Sequence, residues 1–144
     1  MKHFETETAI DASPEQVWRV LAATSSWPDW DSGVLGVEGE AANNRIKVRS
    51  ELNPKRAYPV KVIEFEPNRR MAWLGGVPLG LFKGVRSYTL TPEGEGRTRF
   101  AMREEFTGPL LPLIWRTMPD MSDSFRQFAT GLKERVEASR PAAS

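Results

Sequence analysis

The sequence predicts an α+β fold, in which an antiparallel sheet is covered on one face by a long C-terminal helix. Three observations support this prediction. A helix pattern follows the first strand, six segments with a period of two come next, and a stretch with helical spacing ends the sequence. The strands are apolar mainly on one face, which is typical of an antiparallel sheet with one solvated side.

Local signals define the first strand and the first helix. The strand is KHFETETAID, whose alternation predicts four inward side chains: Phe4, Thr6, Thr8 and Ile10. In the following SPEQVWRVLAAT, Ser13 can cap a helix, Pro14 suits its first position, and Gln16 completes a capping box. We therefore expect a helix to begin at Pro14.

A short helical turn and six strands are predicted next. Within SSWPDWDSG, the turn begins near Pro28 and ends at Gly33. It places Trp27 and Trp30 three residues apart on the same side. The predicted strands are VLGVEGE, NRIKVRSEL, AYPVKVIEFE, RRMAWLGG, FKGVRSYTL and TRFAMREEF. Connections are expected at Asn53–Pro54, at Pro67–Asn68, in the loop GGVPLG and in the turn TPEGEGR.

The last segment, LLPLIWRTMPDMSDSFRQFATGLKERVEAS, is predicted to be a long amphipathic helix. Its apolar positions at helical spacing are Met121, Phe125, Phe128, Leu132 and Val136. Pro119 should kink this helix or mark its effective start, because proline has no N–H and crowds the preceding turn. Gly131 costs a helix about 1 kcal/mol relative to alanine, which indicates close packing there. We predict one domain over residues 1–138 and a flexible tail over residues 139–144.

Composition and charge argue against several classes of function. Lys and Arg number 20 against 19 Asp and Glu, and no basic run is present, so we expect no nucleic-acid partner. With no cysteine and a single histidine, His3, we expect no thiol nucleophile, metal or other cofactor. The N-terminus is unlike a signal peptide and no apolar run approaches a membrane span. We therefore predict a cytoplasmic monomer or homodimer with no stable membrane insertion.

The segment MREEFTG places a carboxylate on the apolar face of the last strand. Met102 and Phe106 share that face, and Glu104 lies between them. A carboxylate there is costly unless a partner receives it. In the hairpin around TPEGEGR, the register that pairs Tyr88 with Met102 places Arg86 directly opposite Glu104. We therefore expect an Arg86–Glu104 ion pair.

Two interpretations of this pair remain open. In one, a mostly apolar cavity between sheet and helix uses Arg86, Glu104 and Tyr88 as its polar contacts. In the other, the pair lies solvated at the rim of the sheet and is structural. Further residues expected to bind the ligand are Phe82, Met102, Phe106, Trp27, Trp30, Trp73, Trp115, Met118, Met121 and Phe125. The tryptophans could equally be plain core, and Trp27, Trp30 and Trp115 could instead form an aromatic entrance.

Three segments carry a resemblance to a known family. They are IDASPEQVWRVLAATSSWPDWDSGV, VIEFEPNRRMAWLGG and SYTLTPEGEGRTRFAMREEFTGPL, within a span from about Phe4 to about Val136. They resemble the SRPBCC group of START-like proteins, especially its polyketide cyclase/dehydrase and lipid-transport branch. The resemblance implies a helix-grip fold: a curved seven-stranded antiparallel sheet around the C-terminal helix, two short helices after the first strand, and a hydrophobic cavity between sheet and helix.

Members of that group bind lipids, polyketides or other apolar molecules, and a minority catalyse cyclisation or dehydration. Our first hypothesis is therefore a module that binds a small apolar or amphipathic molecule. The second is a cyclase- or dehydratase-type enzyme, with Glu104 as general acid or base, Arg86 holding an enolate and Tyr88 donating a proton. An arginine beside Glu104 argues against a strong base, because it favours the ionised carboxylate. A protein-interaction module is a third alternative, but it needs a surface patch that the sequence does not show.

Overall fold

Seven strands form one antiparallel sheet in the computed structural model, which describes residues 2–39, 44–52 and 54–139. The strands are β1 Lys2–Ile10, β2 Val34–Glu38, β3 Arg45–Ser50, β4 Tyr58–Glu66, β5 Arg70–Val77, β6 Phe82–Pro92 and β7 Thr98–Thr107. Their order in the sheet is β1-β7-β6-β5-β4-β3-β2, so the chain runs back and forth from β2 to β7 and β1 completes the sheet beside β7.

Three α-helices and two short 3-10 helices accompany the sheet in the described ranges. They are α1 Pro14–Leu21, α2 Leu111–Trp115 and α3 Ser122–Ser139, with 3-10 helices at Thr24–Asp29 and Pro78–Gly80. The curled sheet wraps around α3, as a helix-grip fold requires. The predicted fold class is confirmed.

The capping signals of α1 act as the sequence predicts. The Gln16 backbone N–H donates to Ser13 Oγ at 3.2 Å, and the Ser13 N–H donates to Gln16 Oε1 at 2.9 Å. Val17, Trp18 and Leu21 form the buried face of this helix. The reciprocal bonds satisfy two backbone N–H groups that the start of α1 would otherwise leave unpaired.

The helical turn after α1 begins earlier than predicted. It starts at Thr24 rather than near Pro28, and it ends at Asp29. The Ser26 N–H donates to the Ala23 carbonyl at 2.9 Å, so the turn forms before the proline is reached. Proline fits inside the turn because its fixed φ is compatible with a 3-10 helix.

The predicted strand RRMAWLGG runs through both glycines as expected and extends one residue further, since β5 ends at Val77. Gly75 and Gly76 pair with Gly84 and Lys83 of β6. Gly76 has a φ of +138°, and a Cβ there would clash with the backbone of Phe82. These glycines therefore allow close approach of two strands, and the loop GGVPLG keeps only its last three residues.

The C-terminal segment divides at Pro119, as expected. The short α2 ends at Trp115, and α3 begins at Ser122, whose N–H donates to Asp120 Oδ1 at 2.9 Å. Ser139 ends α3, whereas the rest of the predicted tail, 140–144, lies outside the described residues. The expected turn at Asn53–Pro54 includes Asn53, which also lies outside the described residues.

The close packing predicted at Gly131 is confirmed. A Cβ at this position would clash with the carbonyl oxygen of Asp31 and lie 3.2 Å from Cε3 of Trp30. The helix can therefore lie against the segment after the first 3-10 helix only because residue 131 has no side chain. This contact fixes the position of α3 over the sheet.

Candidate functional site

The predicted register between β6 and β7 is confirmed. Arg86 pairs with Glu104 and Tyr88 pairs with Met102, on the inner face of the sheet. Arg86 Nη2 donates to Glu104 Oε1 at 2.8 Å. The geometry is that of a charge-assisted hydrogen bond between opposite charges on neighbouring strands.

This ion pair is enclosed, but solvent still reaches it. The Arg86 side chain is 26% exposed and that of Glu104 is 14% exposed. On the outer face of β7, the strand that carries Glu104, the side chains of Arg103 and Glu105 are 34% and 43% exposed. The inner pair is therefore neither a fully solvated rim pair nor a sealed core pair.

Aromatic rings surround the Arg86–Glu104 pair. We call this region the polar end. Its members are Arg86, Glu104, Phe4, Phe82, Phe106, Trp115 and Phe125. The Arg86 guanidinium carbon lies 5.0 Å from the centre of the Phe125 ring of α3. Phe4 stacks on Trp115 at 5.4 Å, and Phe82 stacks on Phe106 at 5.8 Å. Phe4, Phe82 and Trp115 are only partly buried. The polar end therefore has apolar walls that are not fully packed.

Glu104 has one oxygen available at the polar end. Its Oε1 accepts from Arg86, but Oε2 has no hydrogen-bond donor within the part of the chain that the structure describes. Gly84 lies beside this oxygen, since a Cβ there would be 3.1 Å from Oε2. The absence of a side chain at Gly84 therefore lets the Glu104 carboxylate and the Phe106 ring lie close over the backbone of β6.

Tyr88 lies deeper than the ion pair and is fully buried. Its ring is 5.2 Å from Trp73, 5.5 Å from Phe128 and 5.7 Å from Trp27. Its hydroxyl makes no hydrogen bond of normal geometry with any described residue. The interior around this ring is therefore filled by side chains, where the sequence interpretation expected a cavity.

Burial and the neighbouring charges together shift the pKa values of Tyr88 and Arg86. Burial raises the pKa of Tyr88 to about 12, with Arg86 acting to lower it and Glu104 to raise it. Burial acts to lower the pKa of Arg86, but Glu104 and Tyr88 offset this effect and the net direction is upward. At neutral pH, Arg86 is therefore a cation and Tyr88 keeps its proton.

The tryptophans fall into two groups. Trp27 is 1% exposed and donates from Nε1 to the Leu21 carbonyl at 3.1 Å; it stacks on Trp73 at 5.2 Å. Trp30 packs against the core beside Gly131. These positions favour the plain-core alternative for Trp27, Trp30 and Trp73. Trp115 alone among the predicted entrance tryptophans belongs to the polar end.

The remaining predicted ligand residues divide in the same way. Phe82, Phe106 and Phe125 lie at the polar end, and Met121 is partly buried against the core next to it. Met102 is buried opposite Tyr88. Met118 is half-buried in the segment between α2 and α3. The predicted set therefore spans the polar end and the packed interior.

The sequence reasoning missed Phe4, which belongs to the polar end, and Gly84, which lies beside it. Phe4 pairs with Glu104 across β1 and β7, a contact between the two ends of the sequence. Gly84 could have been found, because it is a glycine two residues before Arg86 on the inward face of β6. The pairing of β1 with β7 has no local signal in the sequence.

Two concavities in the described ranges lie on the outer face of the sheet. One, of about 260 Å³, is lined by polar side chains of β1, β5, β6 and β7, including Arg70 and Arg103. The other, of about 680 Å³, lies over β3–β5 and is lined by the cations Arg45, Lys47 and Lys61. Neither lies between the sheet and α3.

The described residues carry neither a metal-binding cluster nor a helix suited to a membrane. They include no group of three or more His, Asp or Glu side chains that could hold a metal ion. None of their helices has both the length and the apolar character needed to cross a membrane.

Comparisons with known proteins agree with the fold. The family "Polyketide cyclase / dehydrase and lipid transport" matches residues 1–137. A START superfamily protein from Mycobacterium smegmatis is 14% identical, with a TM-score of 0.71 over 96% of this chain and 99% of that one. A Thermus thermophilus protein is 21% identical, with a TM-score of 0.71 over 97% of this chain and 100% of that one.

A third solved structure is the di-domain ARO/CYC BexL from the BE-7585A biosynthetic pathway. It is 19% identical, with a TM-score of 0.72 over 98% of this chain and 48% of that one. This chain therefore spans about half the length of that protein. At these identities the structures show a shared fold alone. No curated protein matches the chain.

Proposed function

The chain belongs to the polyketide cyclase/dehydrase and lipid transport family, and on that premise we propose that it binds a small amphipathic molecule at the polar end. The polar group of the molecule lies against Arg86 and Glu104, and its apolar part lies among the surrounding aromatic rings. The observation that carries the proposal is the inward ion pair, enclosed by aromatic side chains yet 26% and 14% exposed.

The energetics of the pair support a binding role. An ion pair in a solid interior is often no more stable than apolar residues of the same size, because both charges lose water. At the polar end this cost is reduced, since solvent reaches both side chains. Polar groups that converge within a mostly apolar surface are typical of small-molecule sites.

Room for the molecule comes from side chains that are not tightly packed. Phe4, Phe82, Trp115 and Met121 are only partly buried, and Met121 is flexible enough to adopt other rotamers. Binding displaces these side chains outward and leaves the packed rings around Tyr88 in place. The bound molecule is therefore small, or only one end of a larger molecule enters the protein.

A fluorescence titration tests the proposal. The neutral probe N-phenyl-1-naphthylamine should bind saturably to the wild type, and Arg86→Gln and Phe125→Ala should weaken binding. Arg103→Gln is the matched control, because it makes the same change on the outer face of the neighbouring strand. Absence of saturable binding, or equal weakening by Arg103→Gln, would refute the proposal. Native mass spectrometry of the purified protein would add the identity of any retained molecule.

A second candidate function is catalysis of the cyclase or dehydratase kind. The specific observation is the Tyr88 hydroxyl, which is buried beside a cation and has no hydrogen-bond acceptor in the described chain. In such a reaction Tyr88 would protonate an enolate held by Arg86, and Glu104 would orient Arg86. Incubation with poly-β-ketone mimics tests this function. Turnover that is lost in Tyr88→Phe supports it, whereas no turnover by the wild type excludes these substrates.

A further inference from the structure

We infer that the polar end selects a neutral group that both donates and accepts a hydrogen bond, such as a primary amide or an enol, over a carboxylate or a phosphate. This inference rests on the proposed function and specifies the chemistry of the ligand's polar group. It follows from two properties of the site, its charge balance and its unused hydrogen-bonding atoms.

The charges at the polar end already cancel. Glu104 accepts from Arg86 at 2.8 Å, so the cation is neutralised before a ligand arrives. An anionic group would lose its water and come close to the Glu104 carboxylate, and like charges in an enclosed site repel strongly. The attraction to Arg86 would offset only part of that cost, because Arg86 already bonds a carboxylate.

Lys2 is a cation close to Trp115 of the polar end, but it does not change this balance of charge. Lys2 Nζ is 5.6 Å from the centre of the Trp115 ring. Lys2 is exposed, so water and salt screen its charge. It can attract an anion toward the surface of the protein without compensating for the carboxylate at the ion pair.

The unused atoms include both donors and acceptors. Glu104 Oε2 lacks a donor, and Arg86 uses only Nη2 to bond Glu104, in the part of the chain described. The Tyr88 hydroxyl, buried beside Arg86, has no hydrogen-bond acceptor there. A primary amide can donate from its N–H to Oε2 while its carbonyl oxygen accepts from Arg86, and the hydroxyl of an enol can do both. A carboxylate offers acceptors alone and leaves Oε2 unpaired.

The experiment compares two matched pairs of probes by isothermal titration calorimetry at neutral pH. The pairs are 1-naphthaleneacetamide with 1-naphthaleneacetate, and octanamide with octanoate. Each pair shares its apolar part, so the ratio of dissociation constants reports on the polar group. The wild type should bind each amide at least about tenfold more tightly than the carboxylate.

Two variants localise this preference. Glu104→Gln removes the negative charge and leaves Arg86 unpaired, so the preference should disappear or reverse. Glu105→Gln makes the same change one residue along, on the outer face beside Arg103, and should leave the ratio unchanged. The double variant Arg86→Gln/Glu104→Gln keeps the site uncharged and should retain the preference for the amide. If Glu104→Gln fails to fold, the ratio in the wild type still tests the inference.

The outcomes separate the inference from the function on which it rests. Carboxylate binding as tight as amide binding in the wild type would overturn the inference while the proposed function stands. The inference would also be overturned if the ratio of dissociation constants were the same in the wild type and in Glu104→Gln. If none of the probes binds the wild type, the proposed function is wrong and the inference falls with it.

Discussion

The two ends of the interior between sheet and helix differ in packing. At the closed end, formed by Trp27, Trp73, Tyr88, Phe128 and Gly131, rings approach to 4.7 Å and the helix backbone contacts the Asp31 carbonyl. At the polar end, Phe106 and Phe125 are buried, but Phe4, Phe82 and Trp115 are partly exposed. One sheet and one helix therefore build a solid core at one end and a solvent-accessible polar region at the other.

The difference arises from what covers each end. The closed end is covered by α1, by the 3-10 helix Thr24–Asp29 and by the middle of α3. The polar end is covered by the first turn of α3, at Phe125, and by the short α2, at Trp115. The break at Pro119 separates these two helices. We therefore expect stability to depend mainly on the closed end and ligand binding on the polar end.

The largest effect is expected at the closed end. Gly131→Ala should lower the free energy of unfolding by about 2–4 kcal/mol, because the new Cβ meets backbone atoms of Asp31 that cannot move aside. Alanine's better helix propensity, worth about 1 kcal/mol, does not compensate. Urea denaturation measures the change. Thr130→Ala, on the exposed face of α3, is the control and should be nearly neutral.

Single changes in the inner ion pair come next. Arg86→Leu or Glu104→Leu should each cost about 1–3 kcal/mol, since each leaves one charge enclosed without its partner. The cost stays below that of a sealed pair because water reaches both side chains. The double variant should recover most of the loss, as measured in the same urea experiment. If both single variants and the double variant were as stable as the wild type, the pair would be solvated and structural.

Alkaline pH should reveal the burial of Tyr88. Its pKa is about 12 in the folded protein against an ordinary value of 10.0, so the folded state holds its proton more tightly. This contribution to stability is present below pH 10 and is lost as the pH rises from 10 to 12. The loss attributable to Tyr88 is about 1 kcal/mol by the middle of that range. Tyr88→Phe should show a shallower decline of stability, and an identical decline would contradict the buried position.

The smallest effect is expected on the outer face of the sheet. Arg103 bonds both Glu5 and Glu105, with all three side chains substantially exposed. Arg103→Gln and Glu105→Gln should each leave the free energy of unfolding nearly unchanged, because water screens exposed ion pairs. Raised salt should reduce even this difference. If these variants lost more stability than Arg86→Leu, the expectation that the inner pair matters more than the outer pairs would be wrong.

Much of the fold and the central pair could be predicted from the sequence. A period of two and a short hairpin fix which faces of β6 and β7 meet, so Arg86 and Glu104 could be paired from local information. The capping box at Ser13 is also local, and so is the signal at Gly131, a glycine within a helix pattern, although its contact with Asp31 is not. Each depends on one residue type whose geometry permits few alternatives.

The filling of the interior could not be predicted in the same way. Trp27 and Trp73 pack around Tyr88 from segments far apart in sequence, so whether space remains depends on rotamers and on non-local approach. The pairing of Phe4 with Glu104 likewise joins β1 to β7 without a connecting turn. These features determine which end of the interior is closed.

The most direct test of a binding site at the polar end is a two-dimensional ¹H–¹⁵N NMR titration of the wild type with 1-naphthaleneacetamide. We predict saturable shifts that are largest for the amides of Gly84, Arg86, Glu104 and Phe125. The amide of Leu132, at the closed end, should stay nearly unchanged. No saturable shift, or shifts confined to the closed end or to the outer face of the sheet, would contradict the account.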